Sequence, residues 1–166
     1  MTREEKIDIP KPEGHYCFAC GTANPIGLNL KFYRMGDAVC TDVTLSRNHV
    51  GWENIAHGGI ISTVLDEVMS WTILYFKRVF FLTRKMDLKY IRPVLVEIPL
   101  TVRGRLLNTE DPKKILAVGE MFNNDGQLLA RSKGEFVSLV KEELTSVPES
   151  LKKEMFSMIE EMNKEP

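Results

Sequence analysis

The feature that most restricts the fold of this chain is a long apolar segment near its middle, at residues 59–76 (GIISTVLDEVMSWTILYF). The segment has no proline and no glycine after its first residue, so it predicts one long α-helix. It is too short for a membrane span, and Asp66, Glu67 and Ser70 interrupt it. We therefore interpret it as the buried helix of a soluble protein.

The two faces of this helix differ in composition. At about 100° per residue, one broad stripe is apolar and contains Ile61, Val64, Leu65, Val68, Trp71 and Thr72. The narrow opposite face carries small or polar residues, namely Gly59, Ser62, Thr63, Asp66 and Ser70. Asp66 is therefore predicted to point away from the main core contact. Glu67, roughly 100° further round, is predicted to be an ordinary surface residue.

A carboxylate among so many apolar residues suggests either a functional acid or the solvated edge of an amphipathic helix. Burying Asp66 is unfavourable unless hydrogen-bond donors or water surround it. Just before the helix, His57, Gly58 and Gly59 form a predicted loop-to-helix turn, and amides at such a turn polarise a carbonyl placed against them. Alternatively, the glycine pair serves only close packing at the turn. The residues by themselves leave both interpretations open.

The length and charge of the chain limit its organisation and its partners. No linker or repeat divides its 166 residues, so we expect a single domain over residues 1–166 with a core at about 15–141. The net charge is −1 and there is no long basic run, which gives no support for nucleic-acid or membrane-surface binding. The charged N-terminal residues lack an apolar signal region, so we expect a cytoplasmic location.

Cys17 and Cys20 form a CxxC motif, with His15 two residues before it. Three cysteines, an odd number, argue against a disulfide framework and fit reduced thiols. A structural zinc site needs four ligands, and here Cys40 or another chain would have to complete the set, because no second CxxC follows. No thioredoxin-like context supports a redox role. We therefore predict no metal site and interpret these cysteines as buried or turn-forming.

Alternating polar and apolar residues predict strands on both sides of the helix. Two form a hairpin before it, at 28–35 and 38–46, around Gly36-Asp37. Four follow it in predicted meander order, at 85–91, 96–107, 114–122 and 127–140, and Asp125-Gly126 predicts a hairpin turn between the last two. The class is α+β, with a curved antiparallel sheet of about six strands wrapped around the helix. An amphipathic helix at about 148–164 is predicted to serve packing or oligomerisation.

Three motifs resemble those of the hotdog-fold thioesterases. They are CFACGTANPIGLNLKF at 17–32, AHGGIISTVLDEVMSW at 56–71 and TRKMDLKYIRPV at 83–94, in the family's order and separation. The resemblance covers most of the chain and is closest to the PaaI-like branch, which also contains acyl-CoA thioesterases of the thioesterase superfamily member 4 type. The middle motif is the most specific, because HGG followed by an acid nine residues after the histidine is shared across much of this superfamily.

The resemblance implies roles for particular residues. Asp66 matches the catalytic carboxylate, which acts as nucleophile or as general base on water, and Thr83 matches a position that holds the water or the acid. His57 and Gly59 match the turn whose glycine amide is the oxyanion donor, and we expect Gly58 and Ser62 to line the substrate site. In the family the site forms between subunits of a homodimer or homotetramer, so Asp66 of one chain is expected to work with Thr83 of the other.

The same resemblance implies an acyl-CoA thioester as substrate, with no cofactor and no metal. Arg84 and Lys85 are candidate ligands for the phosphates of coenzyme A, although charges that alternate along a strand also form ordinary solvated faces. The segments 75–76 and 79–82 are candidate walls of an acyl tunnel, or else plain core or interface. The alternative function is a non-catalytic hotdog module that binds acyl-CoA or a protein partner.

Overall fold

The structure is a computed structural model, and it describes residues 5–111 and 113–164. Within these ranges a central helix and a shorter C-terminal helix accompany nine strands, and two short 3-10 helices lie at Arg47–His49 and Lys141–Ser146. In chain order the strands and helices are β1 (Lys6–Ile9), β2 (Phe32–Met35), β3 (Ala38–Thr44), β4 (Val50–Trp52), β5 (Ile55–Ala56), α1 (Gly58–Lys77), β6 (Phe80–Tyr90), β7 (Pro99–Leu107), β8 (Lys114–Asn123), β9 (Leu128–Leu139) and α2 (Glu149–Met162).

The main sheet has seven strands in the order β1-β2-β3-β7-β8-β9-β6, and every neighbouring pair is antiparallel. The predicted meander was therefore wrong for one strand. β7, β8 and β9 do follow one another, but β6 pairs with β9 at the far edge, and β7 pairs with β3. The reason is that α1 lies between β3 and β6 in sequence, and by crossing the sheet it carries the chain from one side of the β7–β9 meander to the other.

Both predicted hairpins are present. Gly36 connects β2 to β3 with φ of 59°, and Gly126 lies in the β8–β9 turn with φ of 74°. These left-handed backbone conformations are the ones that glycine adopts without steric strain. Strand β1 and the small β4–β5 hairpin were not predicted, because each has too few residues to display a period.

Helix α1 packs against the concave side of the sheet, and all six residues of its predicted apolar stripe are buried. By length and mean hydropathy of 1.2, α1 is also apolar enough to cross a membrane, but 56% of the segment is buried inside the protein. It is a core helix, as predicted. At its C-terminal end Arg78 adopts a left-handed conformation with φ of 56°, which reverses the chain into β6.

The C-terminal helix α2 packs onto the region where α1 meets β6. Met158, Ile159 and Met162 on its inner face are buried, and the ring of Phe156 lies edge-to-face on Phe80 at 5.0 Å between centroids. The Arg78 guanidinium donates to the carbonyl of Met162 at 3.0 Å. This arrangement agrees with the packing role predicted from the amphipathic pattern.

Candidate active site

Asp66 and Thr83 meet within a single chain. The Thr83 hydroxyl donates a hydrogen bond to Asp66 Oδ1 at 3.0 Å. The expectation that these two residues pair across a subunit boundary is therefore wrong for this contact. The physical reason is the reversal at Arg78: Asp66 precedes that turn by twelve helical residues and Thr83 follows it by five extended ones, so both lie about 17 Å from it.

The carboxylate of Asp66 is partly buried on the polar face of α1, as predicted. Burial raises its pKa above the ordinary aspartate value, and the hydrogen bond from Thr83 opposes part of that rise. Within residues 5–111 and 113–164, no lysine, arginine or histidine forms an ion pair with it. The group is thus a desolvated acid held by one hydroxyl, which is the environment that suits a base or a nucleophile.

His57 is the N-cap of α1, with φ of −63° and ψ of 134°. Its ring Nδ1 accepts the N–H of Gly59 at 2.9 Å, so the amide that was expected to be the oxyanion donor is already occupied. The preceding amide differs, because no described residue accepts the N–H of Gly58. The free donor at this helix N-terminus is therefore one residue earlier than the sequence predicted.

Tyr90 lies over this turn from the end of β6, a contact that sequence reasoning missed. Its hydroxyl donates to the carbonyl of Gly58 at 2.8 Å. A Cβ at position 58 would lie 2.9 Å from that hydroxyl, so Gly58 gives the ring room to approach. Ser62, predicted to line the substrate site, donates its hydroxyl to the carbonyl of Gly59 at 2.9 Å, and its place in that site stays a prediction.

The acid and the free amide of one chain lie far apart. Asp66 follows Gly58 by eight residues, which is about 12 Å along the helix axis. The N–H of Gly58 also points out of the helix N-terminus, away from Asp66. If a thioester oxygen accepts a hydrogen bond from that amide, the thioester carbonyl carbon lies about 4 Å from the amide nitrogen. An attacking nucleophile must come within about 3.5 Å of that carbon. Asp66 is therefore out of reach for direct attack on a thioester held by the Gly58 amide of the same chain.

The candidate coenzyme A ligands lie on β6. Arg84 and Lys85 are both exposed there, and Lys85 forms an ion pair with Asp87 at 3.2 Å. β6 forms one end of the seven-stranded sheet, and its outer side pairs with no described strand. These cations are therefore accessible to an anion, although nothing in their contacts distinguishes them from an ordinary solvated face.

An apolar cavity of about 460 Å³ lies between α1, the loop that carries the CxxC motif, and α2. Phe81 in its wall is two residues before Thr83 and faces the same side of β6, and Ser70 is one helical turn after Asp66. The cavity therefore adjoins the Asp66–Thr83 pair. Of the predicted tunnel residues, Phe81 lines it, Tyr75 is in the core, and Phe76 and Leu82 are exposed.

Glu67 corrects a prediction, because its carboxylate lies in the wall of this cavity and not on an ordinary surface. Glu67 Oε1 accepts from Trp71 Nε1 at 3.1 Å and lies 3.9 Å from Cys17 Sγ. Burial raises the pKa of Glu67 to about 7. Helical geometry alone missed this, because the CxxC loop covers what would otherwise be the exposed edge of α1.

Comparison with known proteins agrees with this architecture. The sequence profile of the thioesterase superfamily matches residues 53–130. A solved thioesterase superfamily protein is 28% identical over 69% of this chain with a TM-score of 0.65, and the match spans only 56% of that protein's own length. The chain matches no curated protein sequence.

Two more distant structures share the fold. A hypothetical thioesterase protein from Streptococcus pneumoniae TIGR4, solved with coenzyme A, is 16% identical over 67% of this chain and 86% of its own, with a TM-score of 0.60. The E. coli PaaI protein from the phenylacetic acid degradation operon is 13% identical over 68% of this chain and 81% of its own, with a TM-score of 0.62. With the profile match, these structures define the class as a hotdog fold. Residues 53–130 match the thioesterase superfamily, and the chain has the hotdog fold.

Proposed function

We propose that this protein is an acyl-CoA thioesterase that hydrolyses an acyl-CoA thioester to the free acid and coenzyme A. The observation that carries the proposal is the desolvated Asp66 carboxylate, held by Thr83 and adjoining an apolar cavity. The match of residues 53–130 to the thioesterase superfamily supports the reaction class.

Asp66 supplies the base or the nucleophile in this proposal. It removes a proton from water as the water adds to the thioester carbonyl, or it attacks that carbon directly, and Thr83 orients it in either route. A thiolate is a good leaving group, which reduces the need for a strong general acid. The chemistry requires no metal at this site.

The Gly58 amide, in place of the Gly59 amide that the sequence suggested, is the proposed oxyanion donor. No residue in 5–111 or 113–164 accepts its N–H, whereas that of Gly59 is bound by His57. His57 then acts as a positioning residue, because its cap fixes the first turn of α1 with the Gly58 N–H directed outward. A fixed amide dipole at a helix N-terminus stabilises the negative charge that develops on the thioester oxygen.

The complete site is proposed to form between two copies of the chain. Asp66 and Thr83 of one copy would act with His57, Gly58 and Gly59 of the other, because the acid and the amide of one chain are about 12 Å apart. The outer side of β6 is eleven residues long and has no described partner, so antiparallel pairing with a second β6 would supply the interface. A homodimer is the smallest assembly that would form this shared site, and a homotetramer built from such dimers would form it as well.

The two parts of the substrate have separate proposed sites. The cavity of about 460 Å³ would take the acyl group, since its wall is largely apolar and includes Trp71, Leu74 and Phe81. Arg84 and Lys85 would meet the phosphates of coenzyme A. The S. pneumoniae thioesterase protein solved with coenzyme A supports a CoA ester as the substrate class. Variants of it with an aspartate or a threonine replaced by alanine have also been solved, which are the residue types of the Asp66–Thr83 pair.

A panel of acyl-CoA thioesters tests the proposal directly. Short, medium, long and aryl acyl chains are incubated with the full-length protein, and release of free coenzyme A is followed with a thiol reagent. We expect hydrolysis of at least one apolar acyl-CoA. If no member of the panel is hydrolysed while acyl-CoA still binds in calorimetry, the protein is instead the non-catalytic binding module.

Complementation between two inactive variants tests the intersubunit arrangement. Asp66→Asn and Gly58→Pro chains, each with its own tag, are expressed together and the mixed dimers are isolated. Each mixed dimer would contain one intact site out of two. Because half of the dimers in an unsorted one-to-one mixture are mixed dimers, that mixture should recover about a quarter of wild-type activity. Mixed dimers of either variant with the double variant are the control and should stay inactive. Absence of recovery in the first mixture would contradict the shared site.

A further inference from the structure

A second cluster of reactive side chains lies in the cavity wall, apart from the Asp66–Thr83 pair. The sulfur atoms of Cys17 and Cys20 and a carboxylate oxygen of Glu67 all lie within 4.8 Å of one another. Cys17 and Glu67 are fifty residues apart in sequence, so the cluster is a product of the tertiary fold. Cys40 is not part of it, because that residue is buried in β3 beside Tyr33 and Ala38.

The CFACG segment, residues 17–21, folds as a tight loop that carries the sulfur of Cys17. Cys17 Sγ lies 3.9 Å from a carboxylate oxygen of Glu67, so the loop faces α1 at this point. The N–H of Gly21 closes the turn on the carbonyl of Cys17 at 2.8 Å. A Cβ at position 21 would lie 2.5 Å from that carbonyl oxygen, so the turn requires glycine.

The loop is held rigidly in this position. Its backbone forms hydrogen bonds from Leu28 N to Phe18 O at 2.8 Å and from Leu30 N to Ala19 O at 3.0 Å. The Lys11 ammonium donates to the carbonyl of Cys20 at 2.8 Å. Both sulfur atoms are therefore positioned by the fold before any ligand binds, which lowers the entropy cost of coordination.

Glu67 completes a set of three side chains of metal-ligating type. Glu67 forms no ion pair with any residue in 5–111 or 113–164, and the Trp71 indole N–H fixes the orientation of its Oε1. His15 lies in the same cavity wall, and its buried Nδ1 has no hydrogen-bond partner among these residues. A divalent cation at this position would bind the deprotonated thiols and carboxyl group and release their protons.

We propose that Cys17, Cys20 and Glu67 bind one Zn²⁺ ion, with the fourth tetrahedral position open to His15 or to a water molecule. Two thiolates and one carboxylate or imidazole form a donor set that suits zinc, and hard cations such as Mg²⁺ do not take thiolate ligands. Trp71 would not contact the ion, but its indole N–H would orient the Glu67 carboxylate as a ligand. The ion would clamp the CxxC loop onto α1 beside the cavity, and the proposal does not depend on the proposed thioesterase activity.

Metal analysis of the full-length protein, purified under reducing conditions, tests the site without any activity assay. We expect about one zinc per chain, and replacement by Co²⁺ should give the thiolate-to-cobalt charge-transfer absorption and visible bands of a tetrahedral site. A chelator should lower the melting temperature of the wild-type protein, because the ion binds only the folded state.

Matched variants separate this site from adventitious binding. Cys17→Ser and Glu67→Gln should lose the cobalt spectrum and the effect of the chelator, and Trp71→Phe should weaken zinc binding about ten- to a hundredfold. Cys40→Ala is the control, because it removes a thiol that lies outside the cluster, and it should bind zinc normally. Wild-type protein that binds neither ion when fully reduced, or a Cys17→Ser variant with unchanged zinc content, would overturn the proposal.

Discussion

Replacing Asp66 by asparagine is expected to reduce kcat for acyl-CoA hydrolysis about 10²- to 10⁴-fold, the usual contribution of a positioned base. The change keeps the shape of the side chain and its contact with Thr83, but it removes the charge that activates water or attacks carbon. Because burial disfavours the charged carboxylate, the variant should unfold at the same temperature as wild type or higher. The loss of rate would then be a chemical effect. The measurement is kcat together with the melting temperature.

Asp8→Asn is the matched control for this experiment. Asp8 is an exposed carboxylate on β1, the strand at the opposite end of the sheet from β6. The Asp8→Asn variant should hydrolyse acyl-CoA at the wild-type rate. Wild-type activity in Asp66→Asn as well would mean that the catalytic assignment of Asp66 is wrong.

Replacing Gly58 by proline is expected to reduce kcat about 100- to 1000-fold, the usual effect of losing one oxyanion donor. Proline lacks the N–H, yet it fits the first position of a helix. The preceding residue must then be extended, and His57 already is, with ψ of 134°. The backbone should therefore accept the change while the proposed donor is lost.

Gly58→Ala provides the control, because it adds the same Cβ against the Tyr90 hydroxyl but keeps the amide. Its kcat should stay within a few-fold of wild type, and any shared loss of melting temperature in the two variants measures the steric effect alone. Equal kcat losses for proline and alanine would contradict the role of the Gly58 amide.

Local sequence patterns predicted most of the elements. The apolar stripe and polar face of α1, the turns at Gly36 and Gly126 and the amphipathic α2 all follow from periods and turn residues within about twenty positions. The placement of β6 beside β9 does not follow from such a pattern. It depends on where α1 crosses the sheet, and no local period encodes that path.

In the candidate site, too, some features could be predicted from the sequence and others could not. The helix start at His57 and the polar orientation of Asp66 were readable from spacing, and the position of Thr83 beside Asp66 could have been found by counting residues from the reversal at Arg78. The hydrogen bond that occupies the Gly59 amide could not have been predicted in this way, because it depends on the ring of His57 turning back onto its own helix.

The sequence by itself determined that this chain has a buried central helix, with a polar face that carries Asp66 and a glycine turn at its start. It also indicated the family. Only the tertiary structure decided that Thr83 pairs with Asp66 in the same chain, that the free amide is that of Gly58, and that Glu67 faces the two cysteines of the CxxC loop. The physical reason is range: periodicity and turn preference act between neighbouring residues, whereas these contacts depend on how distant segments pack.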